Sequence, residues 1–226
     1  MTYNIAGAPF PVVICELNAG ETVICQAGAM AWMTGGLRMK SGFGGKGIGG
    51  IFSRMMSGES LFLNEYAAET GSGTIAFRAE APGEILAIRL GGTKTILAQR
   101  GAFLASEKSV KMEIALQKSL GAGLFSGEGF VLQRFSGNGL VFINIDGTAV
   151  DYELAAGETM LMDTGTFAAA EDSVSVDVEM VRGIGNMIAG GEGLFLTRAR
   201  GPGKIWMQTM PLSNIAKALS RFLPKR

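Results

Sequence analysis

Ser57-Gly58-Glu59-Ser60-Leu61-Phe62-Leu63 is followed along the chain by Ser126-Gly127-Glu128-Gly129-Phe130-Val131-Leu132, and then by Gly190-Gly191-Glu192-Gly193-Leu194-Phe195-Leu196. A motif that returns in order at a near-constant period marks tandem structural units. Three other landmarks keep step with it. Ala19-Gly20-Glu21 returns near Gly91-Gly92 and at Ala156-Gly157-Glu158. Ala27-Gly28-Ala29-Met30 returns as Arg100-Gly101-Ala102-Phe103 and Thr164-Gly165-Thr166-Phe167, and Gly73, Gly139 and Gly203 each open an apolar run. The last two copies are 64 or 65 residues apart and the first two 66 to 73, so the first copy carries an insertion.

The local pattern is β. Apolar runs of four to six residues end at Gly, Asn or Ser, and Ser173 to Glu179 alternates strictly, as a strand with one wet face does. Asp146-Gly147 supplies the positive φ of a tight hairpin turn. Only the C-terminus reads as an extended helix: over 212–223, Ile215, Leu219, Phe222 and Leu223 share one face, Ser213 is placed to cap, and Pro224 stops the run. A further helical turn is expected near Ile51 to Met56. No stretch has the composition of a linker, and a β unit of this size buries little apolar area alone, so the copies are expected to share a core. The chain therefore reads as one domain over 1–226, with fused repeats at about 10–85, 86–150 and 151–210.

Charge excludes some functions. The 20 basic and 20 acidic residues balance, which disfavours a generic nucleic-acid binder. Locally they segregate: Phe135 to Val181 holds nine acidic residues and no basic one, and Gly193 to Arg226 holds seven basic and no acidic. Gly36 to Gly58 is likewise basic only. These charges either decorate wet strand faces or match acidic to basic edges between neighbouring copies. Met1 to Phe10 lacks the pattern of a secretory signal, and no run is long enough for a membrane span, so a cytoplasmic protein is expected. Cys15 and Cys25 flank a turn, are placed to face each other across a hairpin, and are expected as buried thiols.

Conventional catalytic chemistry is scarce. The sequence contains no histidine, which removes His bases and His metal ligands. Glu59, Glu128 and Glu192 are carboxylates at equivalent places in the copies, beside Gly58, Gly127 and Gly191. Carboxylates can act as acid and base, but repetition at equivalent places points to a glutamate closing a turn. Gly28, Gly101 and Gly165 are expected to share a backbone position closed to side chains. Gly45 to Gly50 matches G-x-G-x-x-G only formally, because a dinucleotide site needs a βαβ setting. Lys46 and Arg54 beside exposed amides remain a candidate anion site. Phe43, Ile51, Phe52, Met55 and Met56, with Ile48, make the same insertion strongly apolar. They pack under the repeat or offer a surface to another subunit, protein or membrane. The helix poses the same choice, and docking on the β core is its expected arrangement. No cofactor or metal is expected.

Gly49 to Asn64, with its Ser57-Gly58-Glu59-Ser60 block, resembles the hallmark of the altered-inheritance-of-mitochondria family of mitochondrial biogenesis. Ala27-Gly28-Ala29-Met30 and the three-copy layout fit as well, and the chain is similar to the prokaryotic members. The resemblance covers nearly the whole chain. It implies an all-β fold: three tandem copies of a short double-stranded β-helix unit, attenuation-protein-like after the tryptophan RNA-binding attenuation protein, in pseudo-threefold arrangement with a C-terminal amphipathic helix. It further implies rings, and three chains of three copies would make a homotrimer of nine units. The prokaryotic members bring no established activity. The leading expectation is thus a non-enzymatic ring-forming assembly or scaffold protein, with a protein or peripheral membrane partner. A ligand- or RNA-binding regulatory ring and a carboxylate-based enzyme are the alternatives.

Overall fold

The computed structural model describes residues 1–41, 63–118, 130–180, 195–220 and 222. Short apolar runs between glycine-bearing corners become strands, as their period of two requires. The first elements are β1 (Thr2–Ala6), β2 (Val12–Leu17), β3 (Thr22–Gln26), β4 (Met30–Met33), β5 (Leu37–Ser41), β6 (Leu63–Ala68) and β7 (Gly73–Arg78). Next come β8 (Gly83–Leu90), β9 (Ile96–Gln99), a 3-10 turn (Arg100–Ala102), β10 (Phe103–Glu107), β11 (Val110–Lys118), β12 (Phe130–Gly137) and β13 (Gly139–Asp146). The last are β14 (Ala149–Leu154), β15 (Thr159–Asp163), β16 (Phe167–Glu171), β17 (Ser175–Met180), β18 (Phe195–Arg200), β19 (Gly203–Gln208) and one helix, α1 (Leu212–Ser220). The described chain is all-β apart from that helix.

All the strand pairs are antiparallel and follow one scheme. β2, β8 and β14 pair with β7, β13 and β19. The far edges of β7, β13 and β19 take β4, β10 and β16, each with a register shift at the same point: Met30/Trp32, Phe103/Ala105 and Phe167/Ala169. β3, β9 and β15 pair with β6, β12 and β18, whose other edges hold β5, β11 and β17. Two three-stranded leaves therefore face each other. In the first pair, Val13, Cys15, Ile75 and Phe77 meet Val23, Cys25 and Tyr66 in one buried cluster.

The leaves are joined through strand edges. β10 pairs with β3 and β16 with β9, giving six-stranded sheets ordered β5-β6-β3-β10-β13-β8 and β11-β12-β9-β16-β19-β14. The core crosses these junctions: Leu104, Leu140 and Phe142 complete the first cluster, and Ala168 and Ala169 enter the second. Burial of this continuous kind makes each leaf depend on its neighbour for stability.

Local hydrogen bonds recur with the pairing. Gly20 (φ +85) and Gly157 (φ +82) take the positive-φ corner of a β-turn closed by Glu21 N–H to Asn18 C=O and Glu158 N–H to Ala155 C=O. The carboxylates of Glu21 and Glu158 accept from Asn18 and Ala155 N–H, both at 2.8 Å. Thr34 Oγ1, Glu107 Oε2 and Glu171 Oε2 accept from the N–H of Thr74, Leu140 and Lys204, at 2.9, 2.8 and 3.2 Å. Each of these acceptors satisfies a backbone donor at the start of β7, β13 or β19.

Several sequence expectations change. Gly147 has φ +78, but β13 pairs with β8 and β10 while β14 pairs with β19, so Asp146-Gly147 turns a corner between sheets and is not a hairpin. Cys15 and Cys25 lie in different sheets, because β2 pairs with β1 and β7 and β3 with β6 and β10. Both are buried free thiols, and burial pushes each pKa up to about 12. Gly28 has φ +85 but open space around its α-carbon. Gly101 sits in the 3-10 turn without positive φ and equally open, whereas a side chain at Gly165 would press on Asp163 and Pro211. The three glycines do not share one closed backbone position. Ser213 lies inside α1: the helix's first N–H, from Leu212, is taken by Asp146 Oδ2 at 2.7 Å. Burial raises the Asp146 carboxyl, which that N–H opposes.

Two outcomes follow. At Gly137 (φ +100) a Cβ would come within 2.6 Å of Ser109 O. Gly137→Ala should lower the unfolding free energy by about 2 kcal/mol or more in a denaturant titration, and Gly101→Ala should change it by less than about 0.5 kcal/mol. The raised thiol pKa values make stability independent of these groups below the ordinary cysteine value of 9.0, and cost stability as pH rises from there towards about 12. A thiol reagent at pH 8 should find neither cysteine in the native chain and both after unfolding.

Candidate functional site

Among the described residues, β4 and β15 are the ends of their sheets, β1-β2-β7-β4 and β15-β18-β17. Their counterparts in the pairing scheme are not ends. β10 and β16, which match β4, are covered by β3 and β9, which match β15. An open strand edge presents a row of unpaired N–H and C=O groups and invites another strand.

The side chains on the two open edges are large. Trp32 and Met33 take the places held in the other units by Ala105 and Ser106, and by Ala169 and Ala170. The covered residues are 0–4% exposed, whereas Trp32 is 49% and Met33 41% exposed. On the other edge, Leu161 is 50% exposed where Leu97 of the covered β9 is 7% exposed.

Charge at the covered junctions is paired. Lys108 Nζ reaches Glu65 Oε1 at 2.9 Å across the β3–β10 junction, and Arg134 Nε reaches Asp172 Oδ1 at 3.0 Å across the β9–β16 junction. Arg134 also holds Glu113, and both acids raise its pKa, Asp172 foremost. The acidic and basic runs of the sequence meet within the last leaves: Lys204 pairs with Asp151 at 2.8 Å, and Arg198 with Glu179. Segregated charge therefore neutralises itself partly inside one sheet and partly across a junction.

The described far end of the helix stripe is open to solvent. Leu219 is 57% and Phe222 85% exposed, with Met210 and Leu212 beside them also open to solvent. The expectation of a stripe buried on the β core is corrected in part: the backbone of this segment is tied down at Asp146, through the N–H groups of Met210 and Leu212, and Ile215 is half-buried, but Leu219 and Phe222 face solvent. None of the described helices is long and apolar enough to cross a membrane.

One further feature is polar and interior. Gln133 is fully buried, and neither of its amide atoms has a hydrogen-bond partner among the described residues; Thr197 Oγ1 is in the same state. Both occupy the same position of the scheme, opposite Ala98 and Met162, where β6 has Asn64 opposite Cys25. Unpaired buried polar groups are costly, so the Gln133 amide is a feature to be explained.

Most residues singled out from the sequence fall elsewhere. Phe43, Lys46, Ile51, Phe52, Arg54, Met55 and Met56 lie outside the described residues, as do Gly58, Glu59, Gly127, Glu128, Gly191 and Glu192. Among the described residues, Glu21 and Glu158 close turns onto backbone N–H groups in the way foreseen for those three glutamates. Sequence reasoning missed the edges. Its signal lay two residues past the Met30, Phe103 and Phe167 landmarks, where Trp stands in one copy and Ala in the others.

The junction ion pairs differ in burial, which fixes an expected order of effect. Glu65 is buried, so Lys108→Met strands its carboxylate and should cost about 1–3 kcal/mol in thermal or chemical unfolding. Arg134→Met loses a partly exposed pair and should cost less than about 1 kcal/mol.

Known proteins share this architecture. A crystal structure of a protein from Streptococcus pyogenes superposes with a TM-score of 0.80 at 29% identity, covering 98% of this chain and 99% of that one. An uncharacterized protein of Streptococcus pyogenes serotype M6 is 33% identical over 223 residues, 95% of this chain and 88% of its own length. The profile of the family described as mitochondrial biogenesis AIM24 matches residues 3–210. With the match running from the first strand to the foot of the helix, the chain belongs to the AIM24 mitochondrial biogenesis family.

Proposed function

We propose that the protein is a non-enzymatic assembly or scaffold protein that closes head to tail with copies of itself into a ring. Its building block is a short double-stranded β-helix unit, similar to the attenuation-protein subunit and present in three tandem copies in one domain with pseudo-threefold order. The observation that carries this reading is the junction between units, made twice inside the chain and, among the described residues, left unmade at β4 and β15. Head-to-tail contacts of that kind either close into a ring or run on as a filament, and closure abolishes the open edges. Three chains give nine units, so a homotrimer is the favoured assembly.

The ring acts in the cytoplasm and offers its apolar surfaces to a protein or to the face of a membrane. The candidates are the apolar segment Phe43 to Met56, singled out from sequence alone, and the exposed Leu219 and Phe222 at the end of α1. Light scattering on the intact protein should give about three times the 23.7 kDa chain mass at micromolar concentration. A chain that stays monomeric would remove the ring. Deleting Phe43 to Met56 should abolish partner or membrane association and leave the β signal in circular dichroism. Association that survives the deletion moves the contact to α1.

A second reading, a ligand-binding ring, is favoured by the unpaired amide of Gln133. A small polar molecule lodged against it would satisfy both amide atoms. Native mass spectrometry of the purified protein should then show a bound species that Gln133→Leu loses. Without a ligand, the same substitution removes an unsatisfied buried amide and stabilises the chain by about 1–3 kcal/mol.

A further inference from the structure

We infer that β4 of one copy pairs antiparallel with β15 of the next in one fixed register: Trp32 opposite Met162, Met33 opposite Leu161 and Thr34 opposite Met160. The inference rests on the assembly reading above and supplies its interface.

The register is carried over from the two junctions inside the chain. At the first, Ala105, Ser106 and Glu107 stand opposite Cys25, Ile24 and Val23. At the second, Ala169, Ala170 and Glu171 stand opposite Ala98, Leu97 and Ile96. β4 is placed on this scale by its pairing with β7. Trp32 faces Ala76 and Met33 faces Ile75, as Ala105 faces Phe142 and Ser106 faces Val141. β15 is placed by β18. Met160, Leu161 and Met162 face Ala199, Arg198 and Thr197, as Val23, Ile24 and Cys25 face Tyr66, Glu65 and Asn64. The register shift at Met30/Trp32 matches those in β10 and β16, so both partners keep the same side chains inward.

A second copy of this chain is the occupant that fits. β5, β11 and β17 are edges in every sheet that holds them, and the free side of β2 is taken by β1 of the same chain. Among the described strands, β4 and β15 are the open edges whose counterparts are joined across a unit junction. Each therefore lacks the kind of partner that the other end supplies.

The chemistry of this contact differs from that inside the chain. The inner junctions set small residues against medium ones and add an ion pair at Lys108 or Asp172. At the open edges the place of Lys108 and Asp172 belongs to Gly35, and the facing side chains are an indole, thioethers, a leucine and the hydroxyl of Thr34. Cross-strand pairs of that size gain most from burial, and the ion pair of the inner junctions has no counterpart at Gly35 for salt to screen. The closing contact should thus tolerate salt, unlike the charge-matched edges that the sequence alone suggests.

Paired cysteines test the register in the full chain. Directly opposed strand residues lie within disulfide reach, and residues two places along do not. Met33→Cys with Leu161→Cys should form inter-chain disulfides on mild oxidation, seen as dimers and trimers on a non-reducing gel. Met33→Cys with Asp163→Cys should form few. Cys15 and Cys25 are buried and leave the reading clear. Met33→Lys and Leu161→Glu should each dissociate the assembly at least tenfold, and the double substitution should restore it, which also shows that the single variants fold. An assembly that forms without these cross-links and ignores both single substitutions overturns this interface while keeping the assembly reading. A wild-type chain that never associates overturns both.

Discussion

The structure depends on one requirement: the backbone groups along a strand edge must find partners. Side chains alone do not hold the leaves in sequence. β3 reaches β10, and β9 reaches β16, through main-chain hydrogen bonds, and the clusters beneath are continuous because those bonds bring the leaves together. Short strands with mostly apolar inner faces are weak alone and secure when paired on both sides. The same requirement leaves β4 and β15, the open edges among the described strands, in want of a partner strand.

Smaller features serve that pairing. The carboxylates of Glu107 and Glu171 and the hydroxyl of Thr34 each take a backbone N–H at a strand start, where the ladder would otherwise leave a donor unpaired. Glu21 and Glu158 do the same within a turn. These four acids therefore serve the backbone. Asp146 takes the N–H groups of Met210 and Leu212 and so fixes where the helix leaves the sheets. The helix itself leaves Leu219 and Phe222 exposed and Ile215 half-buried.

Much of this architecture was legible in the sequence because turns leave local marks. The Ala27, Arg100 and Thr164 landmarks precede β4, β10 and β16, and Gly73, Gly139 and Gly203 open β7, β13 and β19. What was not legible is pairing between distant strands. Asp146-Gly147 has the conformation of a hairpin corner, but nothing in those two residues says that the strands flanking it belong to different sheets. Cys15 and Cys25 look like cross-strand neighbours for the same reason. Trp32 and Met33 were hidden by the register shift beside them, since a one-residue slip exchanges the faces of a strand. The amphipathic pattern of α1 gave its apolar face correctly but could not say what lies against it.

Native-state hydrogen exchange reports the pairing of individual backbone amides, and it tests the central claim without altering the chain. Free edge amides exchange quickly, and amides locked in a ladder exchange only on opening. The account predicts that in the assembled protein the outward-facing amides of β4 and β15 are protected to the level of their counterparts in β16 and β9. Rapid exchange at both strands, with β9 and β16 protected, would contradict it.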